Sequence, residues 1–393
     1  TGNAGTHATG LTVNSDGTIQ LTGSGVSVVG NTGTVIASGT INAANLRAGE
    51  TGGTVQILGD KVGVVGANIN ASGSNAGGTV LIGGEYKGQG TIPNASQTYV
   101  SQDSAILADA LLTGNGGRVI VWADEATRFS GSISARGGNN SGNGGFVEIS
   151  GKESLSFDGT VDLSAPQGNL GTLLLDPANI LIVESADPNN NAELDDGRIF
   201  ANDWPWNDTF VITRERLESL TGDIILEATN NITIEDLPGD ELNLQTGPGE
   251  TVTFTANADG IGFDSFSMNE SDTLNTRGGN VIISGGHIEI GNINTNTSFL
   301  SSAGGDIILT SGGRIETGNL NTSAFSVPLG NFSIPASGGN IILKAPQEIT
   351  TGTLNAAISG TGTGGDISLE SERNVVSNIN TSSGGDILLN GVL

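Results

Sequence analysis

The sequence predicts an all-β chain wound as a right-handed parallel β-helix (β-solenoid), with three short strands per coil of about 25 residues. Three observations carry this. Paired glycines precede an apolar triplet again and again, the pairs recur with a period in the twenties, and apolar residues within one period alternate in three short pieces.

The pairs are Gly52-Gly53, Gly77-Gly78, Gly116-Gly117, Gly144-Gly145, Gly278-Gly279, Gly304-Gly305, Gly338-Gly339, Gly364-Gly365 and Gly384-Gly385, with Gly171 and Gly222 as single versions. Successive steps of 25, 28 and 26 residues set the unit, and steps of 39 and 34 are one unit plus an insertion. The steps of 51 from Gly171 to Gly222 and 57 from Gly222 to Gly279 fit two units each. One period divides into Val55 to Ile57, Val62 to Val64 and Ile69 to Ala71, each alternating as a strand with one buried face does. A propeller blade would need a longer period and recurrent aromatics, and an antiparallel sandwich would not repeat its glycines in register. The right hand follows from the crossover rule for parallel strands.

Stacking should build apolar ladders in a narrow interior that bulky aromatics fit poorly, consistent with 11 Phe, 2 Tyr and 3 Trp. The glycine pairs are expected to supply positive φ at corners. Asn292, Asn294, Asn319 and Asn321 are placed to hydrogen-bond in stacked ladders.

Composition limits the function. The chain has 393 residues and no Cys, so disulfides and thiolate chemistry are excluded. With 14 Lys+Arg against 41 Asp+Glu, it repels phosphate backbones and anionic lipid, which speaks against nucleic acid and membrane insertion as partners. The longest apolar run, Leu173 to Val183, is cut by Asp176-Pro177 and falls short of the roughly 18 to 20 residues that a spanning helix needs. The first residues lack a basic, then apolar, leader, so any export signal is expected upstream.

Charge divides the chain. Residues 183 to 273 hold 20 acidic and 3 basic side chains, most of the formal net charge of -27. Residues 1–182 read as coils, 183–221 as an acidic excursion with a short helix at Arg214 to Leu220 capped by Thr213, and 222–393 as coils again, compatible with one uninterrupted rod.

Three blocks, Arg118 to Gly138, Gly144 to Gln167 and Gly171 to Ile182, resemble filamentous-haemagglutinin-like exoproteins of two-partner (type V) secretion. A fourth, Leu217 to Ile234, resembles the large cyanobacterial members, and together the blocks cover about residues 110 to 290. The resemblance implies a secreted adhesin or surface filament, exported by an outer-membrane transporter that recognises an upstream domain. That domain's Asn-Pro-Asn type motif does not occur in this chain.

Little here points to catalysis. His7 and His287 are the whole imidazole inventory, the basic residues are scattered, and Asp124-Glu125 are neighbours expected on opposite faces of a strand. The chain therefore reads as no enzyme, with a polysaccharide lyase or hydrolase and a passive spacer as alternatives. No cofactor is called for beyond calcium, whose candidate ligands lie in the excursion: Asp187, Asp195, Asp196, Asp203 and Asp208. Trp204 and Trp206 are the candidate ligand contacts. The sequence-level conclusion is an adhesive or structural rod, secreted or at the cell surface, with cell-surface or matrix polysaccharide or other filament subunits as partners.

Overall fold

A computed structural model describes residues 33–184, 208–297, 303–329, 332–382 and 384–392, together with the backbone of strands Asn3–Ala4, Gly10–Val13, Ile19–Thr22 and Gly25–Val29. Strand makes up 52% and helix 2%, in long parallel sheets, so the chain is a β-solenoid. It forms two units, one including Thr1–Ala178, the other Asn179–Ala186 with Val211–Leu393.

In the first unit, each coil runs through three faces. The first face stacks Gly25–Val29, Thr54–Leu58, Thr79–Ile82, Arg118–Ala123, Phe146–Gly151 and Thr172–Asp176, all parallel, with Val55, Val80, Val119, Val147 and Leu173 in register. The second stacks the start of Thr34–Asn42 and of Lys61–Asn70 on Gln97–Val100, Ala126–Phe129 and Ser154–Phe157. The third stacks the ends of those two long strands on Ala105–Leu107, Ser132–Ser134 and Thr160–Asp162. Val55, Ile57, Val62, Val64 and Ile69, the residues whose alternation marks one period, are all fully buried. At the start of the chain the pairing is antiparallel instead, between Gly10–Val13 and Ile19–Thr22 and between Asn3–Ala4 and Val28 and Val29.

The second unit repeats the plan. Its first face stacks Asp223–Glu227, Thr251–Thr255, Asn280–Gly285, Ile307–Ser311, Ile341–Lys344 and the start of Ile367–Asn380. Thr251–Thr255 is the coil, without a glycine pair, that halves the step of 57. Its second face includes Ile232–Ile234, Ser265–Met268, His287–Ile290 and Ile315–Thr317. The third includes Glu241–Asn243, Thr273–Asn275, Asn292–Asn294 and Leu320–Asn321. The expected helix is present at Arg214–Glu218, where the Thr213 hydroxyl accepts from the Arg216 amide at 3.2 Å.

The polar ladders also form. Asn275 donates from Nδ2 to Asn243 Oδ1, Asn294 to Asn275, Asn321 to Asn294, Asn355 to Asn321 and Asn380 to Asn355, at 2.9 to 3.2 Å. In a second column, the side chains of Asn280, Asp306, Asn340 and Asp366 each accept from the backbone amide at the same position one coil later.

Three expectations need correction. The step of 51 is one coil and not two units, since Asn179–Val183 pairs directly with Ile232–Ile234. Among the paired glycines of the described residues, only Gly278 and Gly384 have positive φ, so handedness of the backbone is not what selects the rest. Crowding selects them. A Cβ on Gly78, Gly117, Gly145, Gly305, Gly339 or Gly365 would overlap the carbonyl oxygen of the glycine one coil earlier. A Cβ on the first glycine of a pair meets the next coil instead, as Gly77 does at Ala108 O and Gly116 at Ala135 O. The interior, moreover, accepts aromatics. Phe254 and Phe266 on two faces of one coil are fully buried edge to face at 5.2 Å, and Phe129 stacks on Phe157 at 6.0 Å. The coils on either side keep aliphatic residues at those registers, Leu226 and Ile283 beside Phe254 and Ile232 and Ile288 beside Phe266, which leaves room for the rings.

Both insertions expected from the long steps are seen. Residues 83–96 cross the outside of the first face, and residues 323–337 carry the antiparallel pair Val327–Leu329 and Phe332–Ile334.

Gly339→Ala should lower stability by about 1–3 kcal/mol, the usual cost of forcing an extra carbon into a packed site. Gly312→Ala, whose added carbon would meet nothing closer than 3.7 Å, should stay within about 0.5 kcal/mol of the parent. Urea unfolding of both variants tests the steric account, which equal losses would overturn.

Candidate functional site

Most of the residues singled out in the sequence as calcium or ligand contacts, Asp187, Asp195, Asp196, Asp203, Trp204 and Trp206, lie outside the described residues, as does His7. Asp208 is described and exposed, and its Oδ1 accepts from the Thr209 hydroxyl at 3.1 Å. His287 sits on a strand, half-buried, stacked on Phe263 with ring centroids 5.6 Å apart, and its Nδ1 accepts from the Arg314 amide at 3.3 Å. Asp124 and Glu125 fall in the turn between two strands. None of these places assembles a catalytic arrangement among the described residues.

Two sites that single-residue reasoning passed over stand out. The first lies beneath the 83–96 strap. Glu148 points outward from Phe146–Gly151, in register with Ile120 and Leu174, where an ordinary coil would leave it in water. The strap instead seals the outer face: Leu81, Ile120 and Trp122 form a buried cluster with Ile92 and Phe146 packed on it. This explains why Arg118–Ala123 shows no alternation in burial, since a parallel sheet covered on both faces is apolar on both.

Glu148 is fully buried, and its two carboxylate oxygens accept from the Lys87 amide at 3.0 and 3.3 Å. Lys87 holds a positive φ of 53° within the short turn Tyr86–Gly88. Tyr86 rests edge-on against Phe146 at 5.8 Å, with the Arg118 guanidinium 5.4 Å from its ring centre. Asn94 and Trp122 both donate to Asp124 Oδ1, at 2.9 and 3.0 Å, which ties the far end of the strap down. Burial pushes the Glu148 carboxyl up to about 7, against the opposing effects of the Lys87 amide, Ser150 and the charges of Lys87 and Arg118. Sealed from solvent and bonded to backbone, this group fastens the strap.

The second site is a stack of corners in the second unit. Leu237-Pro238-Gly239-Asp240 closes with the Asp240 amide donating to Leu237 O at 2.9 Å, Gly239 taking φ of 88° as the third residue of a type II turn requires. One coil later, Asn269-Glu270-Ser271-Asp272 closes with the Asp272 amide donating to Asn269 O at 3.1 Å. The Thr273 amide donates to Asp240 O at 2.8 Å, which locks the corners in register. Stacking thereby gathers Asp236, Asp240 and Asp272, with one carboxylate oxygen of each within 4.8 Å of those of the other two.

Asp236 and Asp240 are exposed, whereas Asp272 is fully buried. Its Oδ2 accepts from the Leu237 amide at 3.2 Å, and its Oδ1 has no hydrogen-bond partner. Burial, then the charges of Asp236 and Asp240, raise its pKa against the effect of the Leu237 amide. None of the three carboxylates takes part in an ion pair among the described residues. Arg214, beside this corner, is engaged elsewhere: it donates to Pro238 O and pairs with Glu184, both at 2.9 Å. Three oxygen donors without a cation suit a hard divalent ion.

No protein-family model matches the chain, and no curated protein is significantly similar to it.

Glu148 makes stability depend on pH. Because folding raises its pKa, the folded chain binds this proton more tightly, so its contribution is fully present below about 4.5 and is lost as pH rises through about 7. Glu148→Gln should flatten that decline. The stability difference between parent and variant should change by on the order of 3 kcal/mol from pH 4.5 to 8. A constant difference in denaturant titrations across that range would refute the assignment.

Proposed function

We propose that the chain is a structural and adhesive segment of a secreted bacterial surface or extracellular filament, of the filamentous-haemagglutinin type that its blocks at 118–182 and 217–234 resemble. In this reading an upstream domain directs export through an outer-membrane transporter, and the coils offer their lateral surface to cell-surface or matrix polysaccharide or to other filament subunits.

The observation that carries the reading is the third face of the second unit. Its strands put two rows of small polar side chains outward: Thr273, Asn292, Asn319 and Thr353 in one, and Asn275, Asn294, Asn321 and Asn355 in the other. Adjacent members of a row are spaced by the distance between strands, about 4.8 Å. Such a face repeats one weak contact many times. Hydroxyls and carboxamides hydrogen-bond sugars singly with little affinity, and a ligand that is itself a repeat gains by avidity.

Retention of the chain on surfaces coated with bacterial, plant and algal polysaccharides at graded density tests this. Binding should rise steeply with coating density for at least one polymer, with no release of uronate or reducing ends. Failure to bind at any density would favour a passive spacer, and reproducible turnover would favour a polysaccharide-processing enzyme.

A further inference from the structure

We propose that the stacked corners of the second unit bind one calcium ion through Asp236, Asp240 and Asp272. Convergence of three carboxylates would not by itself define a site, since acidic turns are ordinarily solvated. The second observation is the Asp272 side chain: fully buried, with Oδ1 unpartnered, beside two further carboxylates. A buried acceptor without a donor is rare in a folded chain and marks a place where an ion or ordered water completes the bonding. Here the neighbours are themselves anionic, so a cation answers both the orphaned oxygen and the repulsion.

The local structure holds the donors in place. Asp272 is fixed by the Leu237 amide on Oδ2 and by its own carbonyl, which accepts from the Asn292 amide at 2.7 Å. From below, Gly291 packs so closely that a side chain there would overlap Asp272 O, so the corner cannot sink away from Asp240. Asp236 and Asp240 flank the turn through Pro238 and Gly239 and reach the same point from the coil above.

The donors are all oxygen, which selects calcium, magnesium or manganese over softer metals. Two of the three side chains are exposed and adjustable, and calcium tolerates irregular coordination completed by water, whereas magnesium demands a near-ideal octahedron and dehydrates reluctantly. Three carboxylates on a partly open corner correspond to the weak end of the calcium range, a Kd of about 0.1 to 1 mM, that of extracellular modules.

The test is calorimetric titration of the whole chain with calcium chloride, with thermal melting alongside. Calcium should raise the melting temperature, and Asp272→Asn, which keeps the shape and the Leu237 bond, should weaken binding at this site at least tenfold. The doubly exposed variant Asp236→Asn with Asp240→Asn should do the same and leaves the buried group untouched, so a folding defect at Asp272 cannot mask the result. Wild-type affinity in either variant would overturn the site and place any calcium elsewhere, for example on Asp187, Asp195, Asp196, Asp203 and Asp208. Absence of binding at 10-fold above the expected Kd would show that water alone completes Asp272, and equal affinity for magnesium would overturn the choice of ion.

Discussion

Close approach of one coil's backbone to the next, at the corner where each first-face strand begins, is the constraint on which the rest of this fold depends. In the first unit the residue after a glycine pair donates to the carbonyl of the second glycine one coil earlier: Thr79 to Gly53 O, Arg118 to Gly78 O, Phe146 to Gly117 O, at 2.9 to 3.0 Å. In the second unit that amide is taken instead by the Asn or Asp side chain at the same position one coil earlier. The second glycine's own amide closes the corner on the end of the preceding third-face strand, as Gly78 does on Ala71 O at 2.8 Å and Gly117 on Ala108 O at 2.7 Å. No room remains for a Cβ on either side. The pair is thus clamped between the coil before and the coil after, and the in-register columns of Val, Ile and Leu follow from it.

With the backbone locked this way, variation is left to the outside and to the corners. The interior is a largely aliphatic stack, and outside it ladders of Asn and Asp run from coil to coil, one bonding carboxamide to carboxamide and the other giving a backbone amide of the next coil its acceptor. Each such bond is worth on the order of 1 kcal/mol net, so the ladders add up along a unit without any one of them being decisive. The strap over Glu148 and the acidic corner at Asp272 use the same freedom differently: one adds a layer over a finished face, the other lengthens two successive turns so that their side chains meet.

How much of this was legible in the sequence follows from where the information lies. Register, period and the Asn292, Asn294, Asn319 and Asn321 ladders were readable because they repeat at near-constant spacing, and the Thr213 cap because a Thr ahead of a short helical run is a local signal. The reason for the glycine pairs was not, because crowding from a neighbouring coil is a contact between residues some 25 apart, invisible to a local reading that knows only that glycine tolerates positive φ. Burial of Glu148 depends on a strap whose path leaves no periodic mark. Asp272 meets Asp236 and Asp240 across corners of unequal length, so nothing local marks them, whereas the run Asp187 to Asp208 is dense in acids along the chain itself. Phe254 and Phe266 fit an interior expected to suit aromatics poorly because aliphatic neighbours in the coils above and below make space for two rings.

The asparagine row of the second unit has a direction. Each carboxamide gives its hydrogen to the one in the preceding coil, from Asn380 back to Asn243, so the group dipoles add head to tail. At one terminus the leftover Nδ2 of Asn243 is met by the Glu241 carboxylate at 3.2 Å; at the other, Asn380 Oδ1 takes the Ser382 amide, also at 3.2 Å. The row behaves as a polarised wire capped by an anion at its positive pole and by a donor at its negative one. Reversing one of the inner carboxamides would set like poles against each other at both its neighbours, and at Asn294, Asn321 and Asn355 it would also take the oxygen from the backbone amide two residues on, so row and backbone hold the same direction.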